Sequence, residues 1–218
     1  MTIDPGRDAP SPTICYVVSG PSGAGKTSLC ARALQDLPWL RSSVSHTTRP
    51  PRAGEVHGAD YFFVDRTRFQ GMVRRGEFLE WAEVHGEFYG TSTGNLRSVP
   101  RECALLFEVD CQGAVAIRRN LPGAVLIFVM TPSFPDLVAR IRNRGPIRAR
   151  ELDVRIRTAT EEIRRADAFQ YVVINDRFSE ASLTFQSILR AERCRAERVL
   201  AGRAERWEEE IRGYGAVG

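Results

Sequence analysis

Gly20-Pro21-Ser22-Gly23-Ala24-Gly25-Lys26-Thr27 fits the pattern G-x-x-x-x-G-K-[ST], with the apolar run Ile14-Cys15-Tyr16-Val17-Val18 before it and the helix-like Ser28-Leu29-Cys30-Ala31-Arg32-Ala33-Leu34 after it. Strand, glycine-rich turn and helix in that order are the setting in which backbone amides cradle phosphate oxygens. The glycines open backbone conformations closed to other residues. The free N–H groups and positive dipole end of the following helix complete an anion site. Lys26 is placed to reach the β- and γ-phosphates, and the Thr27 hydroxyl to ligate Mg²⁺. The implied ligand is a nucleoside triphosphate. Lys26 is also the only lysine among 31 basic residues, the rest being arginine. A compact ammonium and a flat guanidinium fork are different tools for a phosphate, and here the point charge is kept.

Working outward, 218 residues at 43% hydrophobic and 27% charged suit one domain with insertions. No apolar run reaches the roughly 18 residues of a membrane span. Residues 1–12 lack a basic and then an apolar stretch, so they are read as a disordered leader rather than a signal peptide. Five cysteines (Cys15, Cys30, Cys103, Cys111, Cys194) without C-x-x-C spacing read as thiols in a reducing compartment, and a cytoplasmic location is expected. His46, His57 and His85 stand apart from any cysteine pair, against zinc. The net charge of +4 is spread along the chain, so RNA binding rests on composition alone and no nucleic-acid partner is expected.

After the first helix, Ser42 to Ser45 reads as a short strand entering a loop in which Ser45, Arg49 and Arg52 supply a hydroxyl and two guanidinium forks, equipment for a phosphate or carboxylate. Tyr61-Phe62-Phe63-Val64 is extended. Asp65 N-caps a helix with Phe69, Met72 and Val73 on one face, ended by Gly76. Phe78 to Val84 alternates with period two, and Gly86-Glu87 turns it back into Phe88-Tyr89-Gly90-Thr91. Cys103 to Asp110 is a buried strand with acidic residues at its C-terminal end, where open α/β sheets bind ligands, and Asp110 is placed to hold Mg²⁺ or its water shell. A helix over 112–119 and a strand over 124–130 follow. Between Arg140 and Arg165 nine arginines accompany a narrow apolar stripe, read as a lid in which a subset of guanidiniums closes over a triphosphate. Gln170 to Asn175 is the last core strand, and Ser179 caps a long helix running toward Arg212.

The succession GPSGAGKT, SHTTRPPRAGEVHGADYFF, EFLEWAEVHGEFYGTS, FEVDCQG and VVIND closely resembles guanylate kinase of the bacterial and eukaryotic type, over roughly residues 14 to 190. The resemblance implies an α/β fold: a P-loop NTPase parallel-sheet core with helices on both faces (13–44, 98–134 and 167–218), a small mixed α/β GMP-binding lobe (45–97) and a helical lid (135–166). It implies ATP, with Mg²⁺, as donor and GMP as acceptor. ATP would lie on Gly20, Pro21, Ser22, Gly23, Ala24, Gly25, Lys26 and Thr27, with Asn175 at the adenine. Ser45, Arg49, Arg52, Tyr61 and Tyr89 would hold the GMP phosphate, Glu80 and Thr91 the guanine. Glu108 and Asp110 would close the guanine and magnesium side, with Thr27 and Asp110 as metal ligands. Lys26, Arg49, Arg144 and Arg155 would face the transferring phosphoryl group. The lid departs from the family where Thr and acidic residues are replaced by Pro146-Ile147-Arg148-Ala149-Arg150, and this more basic segment predicts a salt-sensitive affinity for ATP.

The chemistry agrees independently. Guanine offers two adjacent donors, N1–H and the 2-amino group, beside the O6 acceptor; Glu80 can accept from both while Thr91 donates to O6. Adenine presents a lone pair at N1, and sites built on such bonds reject the wrong partner by roughly 10⁴ to 10⁵. A kinase of another phosphorylated acceptor would have no use for the Glu80 and Thr91 pair. A catalytically inactive binding module would have no use for Lys26.

Overall fold

The computed structural model describes residues 13–84, 86–100, 102–143, 149–201 and 204–215. The leader, residues 1–12, and the lid segment 144–148, with Arg144, lie outside the described residues. In chain order the elements are β1 (Cys15–Ser19), α1 (Lys26–Asp36), β2 (Leu40–Ser42), β3 (His46–Thr47), β4 (Phe62–Phe63), α2 (Arg66–Arg74), β5 (Phe78–Val84), β6 (Glu87–Ser92) and α3 (Gly94–Arg97). Then come β7 (Ala104–Glu108), α4 (Cys111–Asn120), β8 (Val125–Met130), α5 (Phe134–Arg142), α6 (Ala149–Ile163), β9 (Tyr171–Ile174), α7 (Phe178–Arg193), α8 (Ala196–Ala201) and α9 (Ala204–Gly215).

β1, β2, β7, β8 and β9 form a parallel sheet in the order β2-β7-β1-β8-β9. Its inner strands are buried on both faces, which is why they read as continuous apolar runs. Alternation sends Tyr16 and Val18 to one side, against Leu29 and Ala33 of α1 and Phe185 and Leu189 of α7. Cys15 and Val17 go to the other, against Ala114 and Ile117 of α4. The buried Tyr16 hydroxyl donates to the Leu189 carbonyl at 2.6 Å, so the ring fills the core without stranding its polar end. β7 and β8 flank β1, opening a crevice at the C-terminal ends of these strands.

The segment between β2 and β7 is a separate four-stranded sheet, β4-β3-β6-β5, in which β3 and β4 run parallel and the other pairs antiparallel. Its own small core is aromatic: the fully buried Phe69 of α2 stacks on Phe78 at 4.5 Å and Phe88 at 5.4 Å. Asp65 accepts from the Arg68 amide, the N-cap its side chain forecasts. At Gly90 a Cβ would lie 2.9 Å from the Phe78 ring, so this strand position has room for glycine only. The segment expected to form the lid is described as α5, capped by Ser133, and α6, joined through Leu137, Ile141 and Ala159.

Two expectations are corrected. The strand at Ser42 to Ser45 is two strands, β2 in the core sheet and β3 in the lobe sheet, with residues 43–45 crossing between them; periodicity cannot reveal that a strand changes partners. The C-terminal helix begins at Phe178, with Ser179 inside its first turn, and stops at Arg193. There Glu192, only 2% exposed, accepts from the Tyr171 hydroxyl and from Arg195 and Arg198, and these bonds tie the end of the helix to β9 and to the chain that follows it. No helix among the described residues is long and apolar enough to cross a membrane.

Candidate active site

The turn after β1 is shaped by contacts that exclude side chains. Gly20 has φ 140° and a Cβ there would sit 2.0 Å from the Val129 carbonyl oxygen; Gly25, at φ 92°, caps α1 with its backbone in the left-handed region. α1 opens at Lys26 with no acidic residue in its first turn and no side-chain cap, leaving its amides for an anion. Lys26 folds back so that its ammonium donates to the carbonyls of Gly20 and, at 3.1 Å, Pro21. Burial lowers its pKa, and Glu162 and Glu108 act in the opposite direction. Thr27 donates to Glu108 Oε1 at 2.6 Å, which brings two hard oxygen donors together at the mouth of the loop.

A cavity of about 470 Å³ joins this loop to the lobe and is lined by Gly20–Gly23, Gly25–Thr27, Ser45, Tyr61, Glu80, Tyr89, Glu108, Asp110, Thr158 and Glu162. On the lobe side Thr91, fully buried, donates to Glu80 Oε1 at 2.6 Å, and the Ser45 hydroxyl lies 3.4 Å from Thr91. Burial pushes the Glu80 carboxyl up from the usual range; the Thr91 bond opposes this and the Asp110 charge adds to it. A Cβ at Gly113 would come within 3.3 Å of Glu80 Oε2, so a side-chain-free turn at the start of α4 leaves room for the carboxylate. Asp110 caps that helix, accepting the Gly113 amide at 2.7 Å while still lining the cavity.

The remaining sequence-derived residues are less directly placed. Arg49 donates to Glu55 Oε1 at 2.8 Å and lies 5.5 Å from the centre of the Tyr61 ring, while Glu55 also takes the Arg52 amide at 2.7 Å. The Arg49 bond, then the Arg52 amide, holds the Glu55 carboxyl below the usual range. The Arg52 side chain is exposed and neither arginine lines the cavity. Arg155 pairs along its own helix with Glu151 at 2.7 Å. Asn175 is 5% exposed and donates from Nδ2 to the Ala24 carbonyl at 2.8 Å, which places it beneath the phosphate loop rather than in the cavity.

Three residues at the site escape a reading by motif. Glu55 fixes Arg49, and its signal was its place six residues on in the same arginine-rich loop. Glu162 and Thr158 enter the cavity from α6; with Arg155 they share a helical spacing of three and four residues, a pattern obscured by the surrounding charge.

The family model described as guanylate kinase matches residues 13–192. A guanylate kinase from Geobacter metallireducens is 44% identical over 200 residues, covering 89% of this chain and 97% of its own. One from Thiobacillus denitrificans is 44% identical over 191 residues, covering 87% and 91%. Among solved structures, the guanylate kinase from Anaplasma phagocytophilum is 34% identical with a TM-score of 0.69, covering 86% of this chain and 90% of that one.

Proposed function

The chain belongs to the guanylate kinase family, and from that premise we infer the roles of its residues in transferring the γ-phosphoryl group of ATP to GMP, giving ADP and GDP. The observation that carries this reading is one cavity with Lys26 and its phosphate loop on one side and the Glu80–Thr91 pair on the other. Glu80 accepts from guanine N1–H and the 2-amino group. Because the single Thr91 proton is committed to Glu80 Oε1, Thr91 first fixes the carboxylate and contacts O6 only by redirecting that proton. dGMP carries the same base and phosphate and is a second acceptor on this reading.

Tyr61 and Tyr89 line the cavity and Ser45 borders it, so they meet the acceptor phosphate directly. Arg49 joins them by exchanging or sharing its bond to Glu55, and the exposed Arg52 guanidinium by swinging inward while its backbone amide stays on Glu55. The GMP phosphate oxygen is already anionic, so no strong base is needed, and the work of the site is alignment and charge stabilisation. Lys26 turns from the Gly20 and Pro21 carbonyls to the donor phosphates. Arg155 leaves Glu151 to face the moving phosphoryl group, a role the family also assigns to Arg144. Asn175 supports ATP binding by bracing the loop at Ala24.

Thr27, Glu108 and Asp110 are oxygen donors at the loop's mouth and fit Mg²⁺ in type, with Thr27 and Asp110 as the residues that would hold it or its waters. When bound, that ion neutralises charge between the β- and γ-phosphates. Free thiols at the described cysteines accord with a reducing compartment such as the cytoplasm.

A coupled ADP-release assay against GMP, dGMP, AMP and UMP tests the whole reading. GMP and dGMP turn over, AMP and UMP do not, and Lys26→Ala abolishes turnover. Equal rates with AMP and GMP refute it.

A further inference from the structure

Glu162 is a carboxylate in a place where an incoming polyphosphate has to sit. It comes from the last turn of α6, is half-buried, and lines the same cavity as Gly20–Gly23, Lys26 and Thr27. The charged groups around it are Lys26 from α1, Glu108 from β7 and Asp110 at the cap of α4, which line the same cavity, and Glu161 and Arg165 beside it. The Cys111 thiol donates to the Glu162 backbone carbonyl at 3.8 Å, tying this turn of α6 to the start of α4. Lys26 meanwhile is held by neutral carbonyls, so acidic side chains are left to balance its charge across the cavity. Of these, Glu162 exerts the largest effect on Lys26, ahead of Glu108. Burial pushes the Glu162 carboxyl up to about 6, which leaves it mainly ionised at neutral pH.

We propose that Glu162 is an anionic placeholder: it balances Lys26 while the donor site is empty, competes with polyphosphate for that ammonium, and so limits donor affinity and speeds release of the spent diphosphate. The proposal rests on the reading of this cavity as the donor site. Its physical basis is that a carboxylate and a triphosphate repel each other strongly in a partly dry cleft, more so the more phosphate charge is present. Glu162 acts through Lys26 and makes no bond to the reacting atoms, so it is a positioning residue. An enzyme that must shed ADP on every cycle gains turnover from a group that keeps the diphosphate from settling.

The test is the full-length chain and its Glu162→Gln variant, titrated with Mg²⁺ plus ADP and with Mg²⁺ plus the β,γ-imido analogue of ATP. Calorimetry gives the affinities and stopped-flow with a fluorescent ADP gives the release rate. Removing one like charge from the wall of this cavity is expected to tighten ADP about tenfold, the triphosphate analogue more than ADP, and to slow ADP release in proportion. GMP affinity stays within about twofold of wild type, since its phosphate docks at the tyrosine side. Glu162→Asp, which keeps the charge, binds as wild type does.

Unchanged or weaker ADP binding in Glu162→Gln overturns the proposal, as does an equal gain for GMP or the same gain in Glu162→Asp. Wild-type turnover of GMP tests the donor-site reading separately, so a failure here leaves that result standing.

Discussion

Replacing Glu80 with glutamine separates recognition from folding. Thr91 donates to Oε1 of Glu80, so the amide oxygen of a glutamine takes that position and its NH₂ falls where Oε2 now stands. Guanine then presents N1–H and the 2-amino group to a donor. A hydrogen bond to a charged group is worth about 1.5–3 kcal/mol and an unpaired buried donor costs about 1–3 kcal/mol, so about 2.5–6 kcal/mol of transition-state binding is lost. At about 1.4 kcal/mol per decade, kcat/KM for GMP should fall by about 10² to 10⁴.

Stability should not follow. Burial raises the Glu80 carboxyl above its unfolded value, so the folded chain binds the extra proton and this group's contribution to stability falls as pH rises through that window. At pH 7 a neutral glutamine therefore leaves Tm unchanged or higher. The coupled assay with GMP and AMP, beside a thermal melt, checks both statements. A loss on GMP below tenfold, or a loss matched by a Tm several degrees lower, refutes the assignment.

The same raised carboxyl predicts that kcat/KM for GMP falls on acidification at a higher pH than an ordinary glutamate would impose, and that Glu80→Gln lacks this limb; a pH profile of both proteins decides it. Gly25→Ala puts a Cβ 2.2 Å from Asn175 Nδ2 at φ 92°, breaking the brace on Ala24, and should cost about 2–4 kcal/mol in urea unfolding. Glu192→Ala removes the carboxylate that pairs Arg198 and accepts from the Tyr171 hydroxyl, leaving Arg198 its bond to the Gly123 carbonyl. Discounted for the half-exposed Arg195, it should cost about 2–4 kcal/mol in the same measurement, with kcat/KM for GMP little changed in the folded protein.

Much of the site was legible because its parts are local. Three glycines before Lys26-Thr27 encode a turn whatever surrounds it, and the period-two run from Phe78 to Val84 returning at Gly86 brings Glu80 and Thr91 opposite each other through a hairpin. Asp65 announced its helix because capping needs only an oxygen near an amide three residues on, whereas the Asp110 cap of α4 emerged only in the structure. The residues 43–45 and the end of the helix at Glu192 were not legible, since each depends on which distant strand or arginine is near.

By itself the sequence determined the glycine-rich turn after β1, the hairpin that sets Glu80 opposite Thr91, and the alternation of apolar strands and amphipathic helices, all set by spacing along the chain. Only the tertiary structure decided that Asn175 braces the loop from below, that Glu55 pairs with Arg49, and that Glu162 of α6 lines the same cavity as Lys26. Those relations join groups far apart in the chain. Their energies depend on separation and burial, quantities that exist only after the sheet, lobe and lid have packed.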